Sequence, residues 1–413
     1  MKRNIFIVIL IFSLFLFTCE NQYTSAQPES DDFMLGNETL LNINVDWISG
    51  SRLALITNNS GVLSDGTMLI DAISSVQGIE VVKVFSPEHG FRGDDRNDDY
   101  IDEKTGLRIV TLYGNKKKPT QSDLSNVDIL IYDIQDVGAR FYTYINTMFY
   151  CIEAAVENNK EIIICDRPVI PDANYIDGFM LEPEYSSFVG MLKLPEVYGM
   201  TCGELALYIN DIYFEGQANL RVSEMLNYSR EMSYESLKLT WIKPSPNIYY
   251  PSSAVTYGGT CLLEGTNFSE GRGTDKPFEY VGAPWCNGDE LKAELDNFGF
   301  QGVEFEAITF FPSSITSPSN PPKYVGERCE GVFINVTNQK LFEPVKTGIA
   351  LLISVAKLYP EFSFTKKNFI DKLAGTDKLR LMISAGFTLD EIVAAYEQEL
   401  NRFKKIRNGY LKY

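Results

Sequence analysis

Short apolar runs recur along the first half of the chain, and each ends in a polar cluster. Residues 53–56 (LALI) end at Thr57, Asn58 and Asn59. Residues 81–85 (VVKVF) end at Ser86, Pro87, Glu88 and His89. Residues 109–112, 127–132 and 162–165 repeat the pattern, the last two closing on Asp133 and Asp166. Between them lie stretches with helical spacing, expected at 65–76 and 141–157. Four- to six-residue apolar runs alternating with helices predict a parallel sheet covered on both faces. In such sheets ligands bind outside the carboxyl ends of the strands. That edge gathers Asn58, Glu88, His89, Asp133 and Asp136, with Arg167 beyond Asp166.

The second half reads differently. Residues 236–340 mix strand-like runs with Pro- and Gly-punctuated loops, and residues from 342 onward are mostly helical. Thr388 and Glu391 form a capping-box pattern, and Ile392, Val393, Tyr396, Leu400 and Phe403 then share one helix face. The expected organisation is therefore α/β. A parallel-sheet domain is expected over 38–235, and a mixed α/β domain over 236–413.

The first residues carry an address. Lys2 and Arg3 precede an apolar stretch, 5–17, too short to span a bilayer convincingly, and Cys19 follows. This predicts a lipoprotein signal over 1–19, lipidation at Cys19, a tether over 20–37, and an extracytoplasmic, membrane-anchored protein. The six remaining cysteines form no CxxC pair and read mostly as buried thiols. A net charge of −18 makes nucleic acid a poor partner. It also means that an anionic ligand needs a local arginine.

Three segments carry candidate chemistry. SPEHGFRG at 86–93 offers Glu88 as a general acid, the chain's single histidine His89, and Arg92. One histidine rules out a multi-His zinc site, and no cofactor is expected. YDIQDVGARFYTY at 132–144 supplies Asp133, Asp136 and Arg140. The stretch 264–279 supplies Glu264, Asn267, Glu270, Arg272 and Asp275 on a glycine-rich loop suited to binding. A catalytic set of Glu88, His89 and Asp136 is expected. Asn58, Arg92, Asp133, Arg140, Glu264, Asn267, Glu270 and Arg272 are expected to bind substrate.

Taken with YIDEKTGL at 100–107, GMTCGELA at 199–206, PSPN at 244–247, the run from Gly259 to Trp285 and RNGYLKY at 407–413, these motifs resemble the NamZ-type exo-β-N-acetylmuramidase family over essentially the whole mature chain. The resemblance implies a Rossmann-like N-terminal domain over 38–235, a smaller C-terminal α/β domain over 236–413 and a cleft that the second completes. It implies removal of N-acetylmuramic acid from non-reducing ends of peptidoglycan fragments, and it puts Glu88 on the family's proposed catalytic glutamate. It also implies departures. Val169 and Ile170 stand where the family commonly has Asn-Pro, and Val197 and Tyr198 where it has Arg-His. Glycoside hydrolysis normally asks for a second carboxylate, for which Asp133, Asp136, Glu264, Glu270 and Asp275 are candidates. The lactyl carboxylate of the sugar would suit Arg92, Arg140 or Arg272. A wall-fragment-binding lipoprotein, and an esterase or amidase pairing His89 with a serine, are the alternatives.

Overall fold

The computed structural model describes residues 32–94, 96–171, 173–314 and 321–413. Seven strands form the main sheet: β1 (Arg52–Thr57), β2 (Glu80–Ser86), β3 (Tyr100–Ile101), β4 (Arg108–Thr111), β5 (Ile129–Asp133), β6 (Glu161–Cys165) and β7 (Asn219–Ser223). Their order is β3-β4-β2-β1-β5-β6-β7, parallel throughout except for the short edge strand β3. Without β3 this is the Rossmann-type order, with the reversal between β1 and β5.

The pleat divides the strand residues between two cores. Leu53, Leu55, Ile129, Ile131 and Ile163 pack on one face, and Ala54, Ile56, Leu130, Tyr132, Ile162 and Ile164 on the other. Continuous apolar runs are what a strand buried on both faces requires. A second sheet of three antiparallel strands follows, β8 (Tyr280–Ala283), β10 (Cys329–Val336) and β9 (Val303–Phe310) in that order.

Two expected helices are shorter than their patterns. The helix expected over 65–76 is confined to Leu69–Ile73. Asp65 accepts the amide of Thr67 at 2.8 Å and Gly66 takes φ 86°, so a tight turn replaces the first helical turn. The helix expected from 141 begins at Tyr144 and runs to Glu157. The closing helix, Leu389–Arg407, has its capping box at Thr388 and Glu391 and buries Ile392, Tyr396, Leu400 and Phe403.

Residues 33–413 form one compact unit. Part of the segment read as a tether belongs to it: Met34 bridges to Leu226, and Asn37 is buried on the helix Gly36–Asn42. Cys19 and the leader lie outside the described residues. All six described cysteines are buried free thiols, including Cys165. Among the described residues no helix is long and apolar enough to cross a membrane.

Buried charge fastens the sheet edge. Asp133 at the end of β5 meets Arg167 beyond β6 at 2.6 Å, and both are buried. Asn37 donates to the other carboxylate oxygen at 3.0 Å, and Arg167 donates to the Val62 carbonyl at 2.7 Å. A second clamp joins the two halves. Arg140, 0% exposed, donates to the carbonyls of Phe179, Leu194 and Leu373 at 2.7–2.8 Å. Burial lowers its pKa to about 10 against the opposing charge of Glu196. Burial likewise raises Glu196 to about 8, offset in part by Arg140. The C-terminus returns to the first sheet, where the Tyr413 hydroxyl donates to Asp166 at 2.8 Å.

Two outcomes follow. Asp133→Asn leaves the Arg167 guanidinium buried without its counter-charge, and breaking such a pair costs about 3 kcal/mol or more; urea unfolding should show the midpoint falling accordingly. Glu196 has a folded pKa above its unfolded one. Its contribution is therefore complete below about 4.5 and lost as pH rises through about 8. The difference in unfolding free energy between wild type and Glu196→Gln, measured at pH 5 and pH 9, should shift against wild type at the higher pH.

Candidate active site

A cavity of about 230 Å³ lies between the two halves. Glu88, His89, Tyr113, Tyr142, Thr143 and Val189 line it from the first. Ser245, Asn247, Tyr257, Glu264, Arg272, Phe278 and Leu373 are among those that line it from the second.

Glu88 sits half-buried on the turn after β2. Its neighbour His89 takes φ 74° and Gly90 φ 80°. A left-handed histidine is strained backbone of the sort found at functional turns, and here it directs two successive side chains to one wall. The Thr143 hydroxyl donates to Glu88 Oε2 at 2.8 Å. Thr143 is also the N-cap of the helix Tyr144–Glu157, yet its side chain makes no capping bond there. The hydroxyl that would ordinarily close the helix start is used to orient the glutamate.

The opposite wall comes from the short 3-10 turn Cys261–Gly265 and the loop after it. Arg272 meets Glu264 at 2.8 Å and Glu270 at 3.4 Å. These two carboxylates raise the guanidinium pKa above its ordinary value in spite of the burial that opposes it. Lys323 binds Glu270 at 2.7 Å, and with Arg272 it holds that carboxyl below its ordinary pKa against the same opposing burial. The loop is a packed element rather than a mobile flap, with Phe268, Ser269, Glu270 and Phe278 all buried.

Of the residues expected at the site, Glu88, His89, Glu264 and Arg272 meet at this cavity. The others stand off its wall, each with structural partners. Asn58 is buried, donating to the Tyr144 hydroxyl at 3.0 Å and accepting from Ser60. Arg92 is engaged with Asp102 through two bonds of 2.7 Å. Asp133 is committed to Arg167, and Arg140 to its three carbonyls. Asp136, expected to be catalytic, is buried beneath the cavity. It accepts from the Tyr198 hydroxyl and the Gly138 amide, and burial raises its pKa to about 6. Asn267 ties its own loop to Glu361 and Ser363. Glu270 supports Arg272 from behind.

The departures from the family pattern are likewise internal. Val169, Ile170, Val197 and Tyr198 are all buried and none lines the cavity. A Cβ on Gly138 would lie 2.1 Å from the Ile170 carbonyl, so the backbone there packs tightly. Tyr113, Tyr142, Thr143, Ser245, Asn247 and Tyr257 were not anticipated as lining residues. Two signals were available: Tyr142 and Thr143 end the second motif, and Ser245 and Asn247 belong to PSPN.

Comparison with known proteins agrees along the whole folded unit. The family model described as exo-β-N-acetylmuramidase NamZ, N-terminal, matches residues 53–252, and its C-terminal counterpart matches 255–413. The peptidoglycan β-N-acetylmuramidase NamZ of Bacillus subtilis (strain 168) is 42% identical over 401 residues, covering 94% of this chain and 95% of that protein. Two crystal structures of DUF1343 family proteins from Bacteroides fragilis NCTC 9343 share the fold. One has a TM-score of 0.85 at 32% identity, covering 94% of this chain and 100% of that one. The other has a TM-score of 0.75 at 34% identity, covering 92% and 99%. With both halves matched and the same architecture in its solved relatives, the chain belongs to the exo-β-N-acetylmuramidase NamZ family.

Proposed function

We propose that this protein is a glycoside hydrolase that releases N-acetylmuramic acid from the non-reducing ends of peptidoglycan fragments, with Glu88 giving a proton to the leaving oxygen. The observation that carries the reading is the Glu88 carboxyl on the cavity wall, held by the Thr143 hydroxyl at 2.8 Å. A proton donor must be positioned before the bond breaks, and this contact fixes one oxygen while the other remains for the substrate. Pockets of roughly 300–1,000 Å³ suit drug-sized ligands. The cavity here, at about 230 Å³, is of a size for a sugar residue. Tyr113, Tyr142 and Tyr257 supply ring faces and hydroxyls of the kind that pack against sugars. The activity in the name of the Bacillus subtilis relative supports the same substrate class.

A serine hydrolase reading has one observation in its favour, since Ser245 and His89 line the same cavity. Ser86, the serine nearest His89 in the chain, is buried at the end of β2 and takes no part in the wall. An esterase or amidase would leave the glycosidic bond intact.

The deciding assay incubates protein lacking residues 1–19 with a muramic-acid–glucosamine disaccharide and follows products by mass spectrometry. Free N-acetylmuramic acid is expected; an unchanged disaccharide would sink the reading. Glu88→Gln should lower kcat by about 10²–10⁴-fold, the usual worth of a general acid, with an unaltered melting temperature. Thr143→Val keeps the shape and removes the hydroxyl. It should lower kcat less than Glu88→Gln and leave KM nearly unchanged.

The same proposal places the enzyme outside the cytoplasm, anchored through a lipid on Cys19 and reaching wall fragments from the membrane surface. Cys19→Ser in the full chain should move the protein from the membrane fraction to the soluble one. An unchanged membrane fraction would argue against the anchor.

A further inference from the structure

Buried polar groups in folded proteins are nearly always hydrogen-bonded, and one that is not calls for a reason. On the cavity wall the Asn247 side chain is such a group. The residue is 7% exposed, and its Oδ1 has no hydrogen-bond partner among the described residues. Arg272 also keeps one nitrogen, Nε, without a partner, but its other two are spent on Glu264 and Glu270. The Tyr142 hydroxyl has Ser245 and Tyr144 beside it.

The backbone that carries Asn247 is fixed. The Lys243 carbonyl accepts from Asn59 at 3.0 Å, the Pro244 carbonyl from the Tyr144 hydroxyl, and the Ile248 carbonyl from the Trp241 indole at 3.3 Å. The Ile248 amide closes the turn on the Ser245 carbonyl at 3.3 Å. Pro244 and Pro246 restrict the chain further. An asparagine in a turn ordinarily uses its side-chain oxygen on its own backbone. Asn247 Oδ1 makes no such bond. A rigid turn therefore presents an unused acceptor to the cavity, which is the preorganisation a ligand contact needs.

We propose that Asn247 recognises the 2-acetamido group of the sugar, its Oδ1 accepting the N–H, and so sets the specificity of the site for N-acetylated substrates. The inference rests on the muramidase reading above. An amide oxygen can only accept, so its missing partner is a donor. The lactyl carboxylate, ionised at neutral pH, has no hydrogen to give. The ring hydroxyls can donate, but they carry nothing to set against an apolar wall. Much of this wall is apolar: Ile248 follows Asn247 in the chain, and Phe278, Phe369 and Leu373 line the same cavity. Among the groups on N-acetylmuramic acid, the acetamide alone joins an N–H to a methyl. An acceptor on a partly apolar wall matches that pairing, with the hydrogen on Oδ1 and the methyl against carbon.

The test compares the natural disaccharide with one whose 2-acetamido group is replaced by a 2-O-acetyl ester. The ester keeps the acetyl shape and removes the hydrogen, so it would set two acceptor oxygens against each other. With wild-type enzyme, kcat/KM for release of the non-reducing sugar should fall by about 10²-fold or more on the ester, because a site built to bond a substrate N–H rejects the analogue that lacks it. Asn247→Leu removes the acceptor at similar volume. It should lose about tenfold or more in kcat/KM on the acetamide and little on the ester, so that the preference collapses. Equal losses on the two substrates would mean a purely structural role, and a preference that survives Asn247→Leu would arise from the acetyl group's own chemistry; either result overturns the proposal. Asn247→Asp keeps an acceptor oxygen and serves where the leucine variant fails to fold. It should retain about tenfold or more of the preference, and equal rates on the two substrates would count against the assignment. Wild-type enzyme releasing no sugar would refute the muramidase reading itself, whereas an active wild type that treats acetamide and ester alike refutes this inference alone.

Discussion

The buried pair of Asp133 and Arg167 organises the edge of the sheet on which everything else is placed. Its 2.6 Å contact joins the ends of β5 and β6, and the remaining hydrogen-bonding capacity of the two side chains reaches Asn37 and Val62. Desolvating two charges is costly, and such a pair is tolerated where geometry and extra hydrogen bonds are good. Here the return is a fixed crevice. Where a dinucleotide-binding sheet of this order would open at the reversal between β1 and β5, this one is filled. Asn58 and Asn59 are covered by the segment at Lys243 and Pro244, with Asn59 donating to the Lys243 carbonyl at 3.0 Å. The open space is displaced to the end of β2, where Glu88 waits.

That displacement explains which parts of the site were legible in the sequence. The strands were legible because a sheet buried on both faces needs unbroken apolar runs, and the polar residues at their ends marked the edge where the cavity lies. Glu88 and His89 stood out through the turn that carries them, and Glu264 and Arg272 through their glycine-rich surroundings. Asp133, Asp136 and Arg140 come from an equally suggestive motif but fasten the protein to itself. Composition cannot separate a polar residue that meets a ligand from one that satisfies buried carbonyls, because both are dense in hydrogen-bonding groups. Only packing distinguishes them. Thr143 was overlooked for the converse reason. With the helix expected over 141–157, Thr143 reads as an ordinary helical position, and its diversion to Glu88 depends on a turn 55 residues earlier in the chain.

The departures from the family pattern also change meaning once placed. Val197 and Tyr198, expected from the resemblance to be Arg-His, are both interior and do not line the cavity. Tyr198 instead gives its hydroxyl to Asp136.

The return of Tyr413 to the first sheet has a consequence for how the two halves hold together. Tyr413 donates to Asp166, which ends its strand buried, and also accepts the Met225 amide at 2.8 Å. Arg407 similarly donates to the carbonyls of Gly199 and Ala173. These bonds tie the closing helix and the residues after it to the loops and strand ends of the first half, so neither half keeps all its buried polar groups satisfied without the other. The two halves therefore stand or fall together as one cooperative unit rather than as two modules that could be exchanged separately.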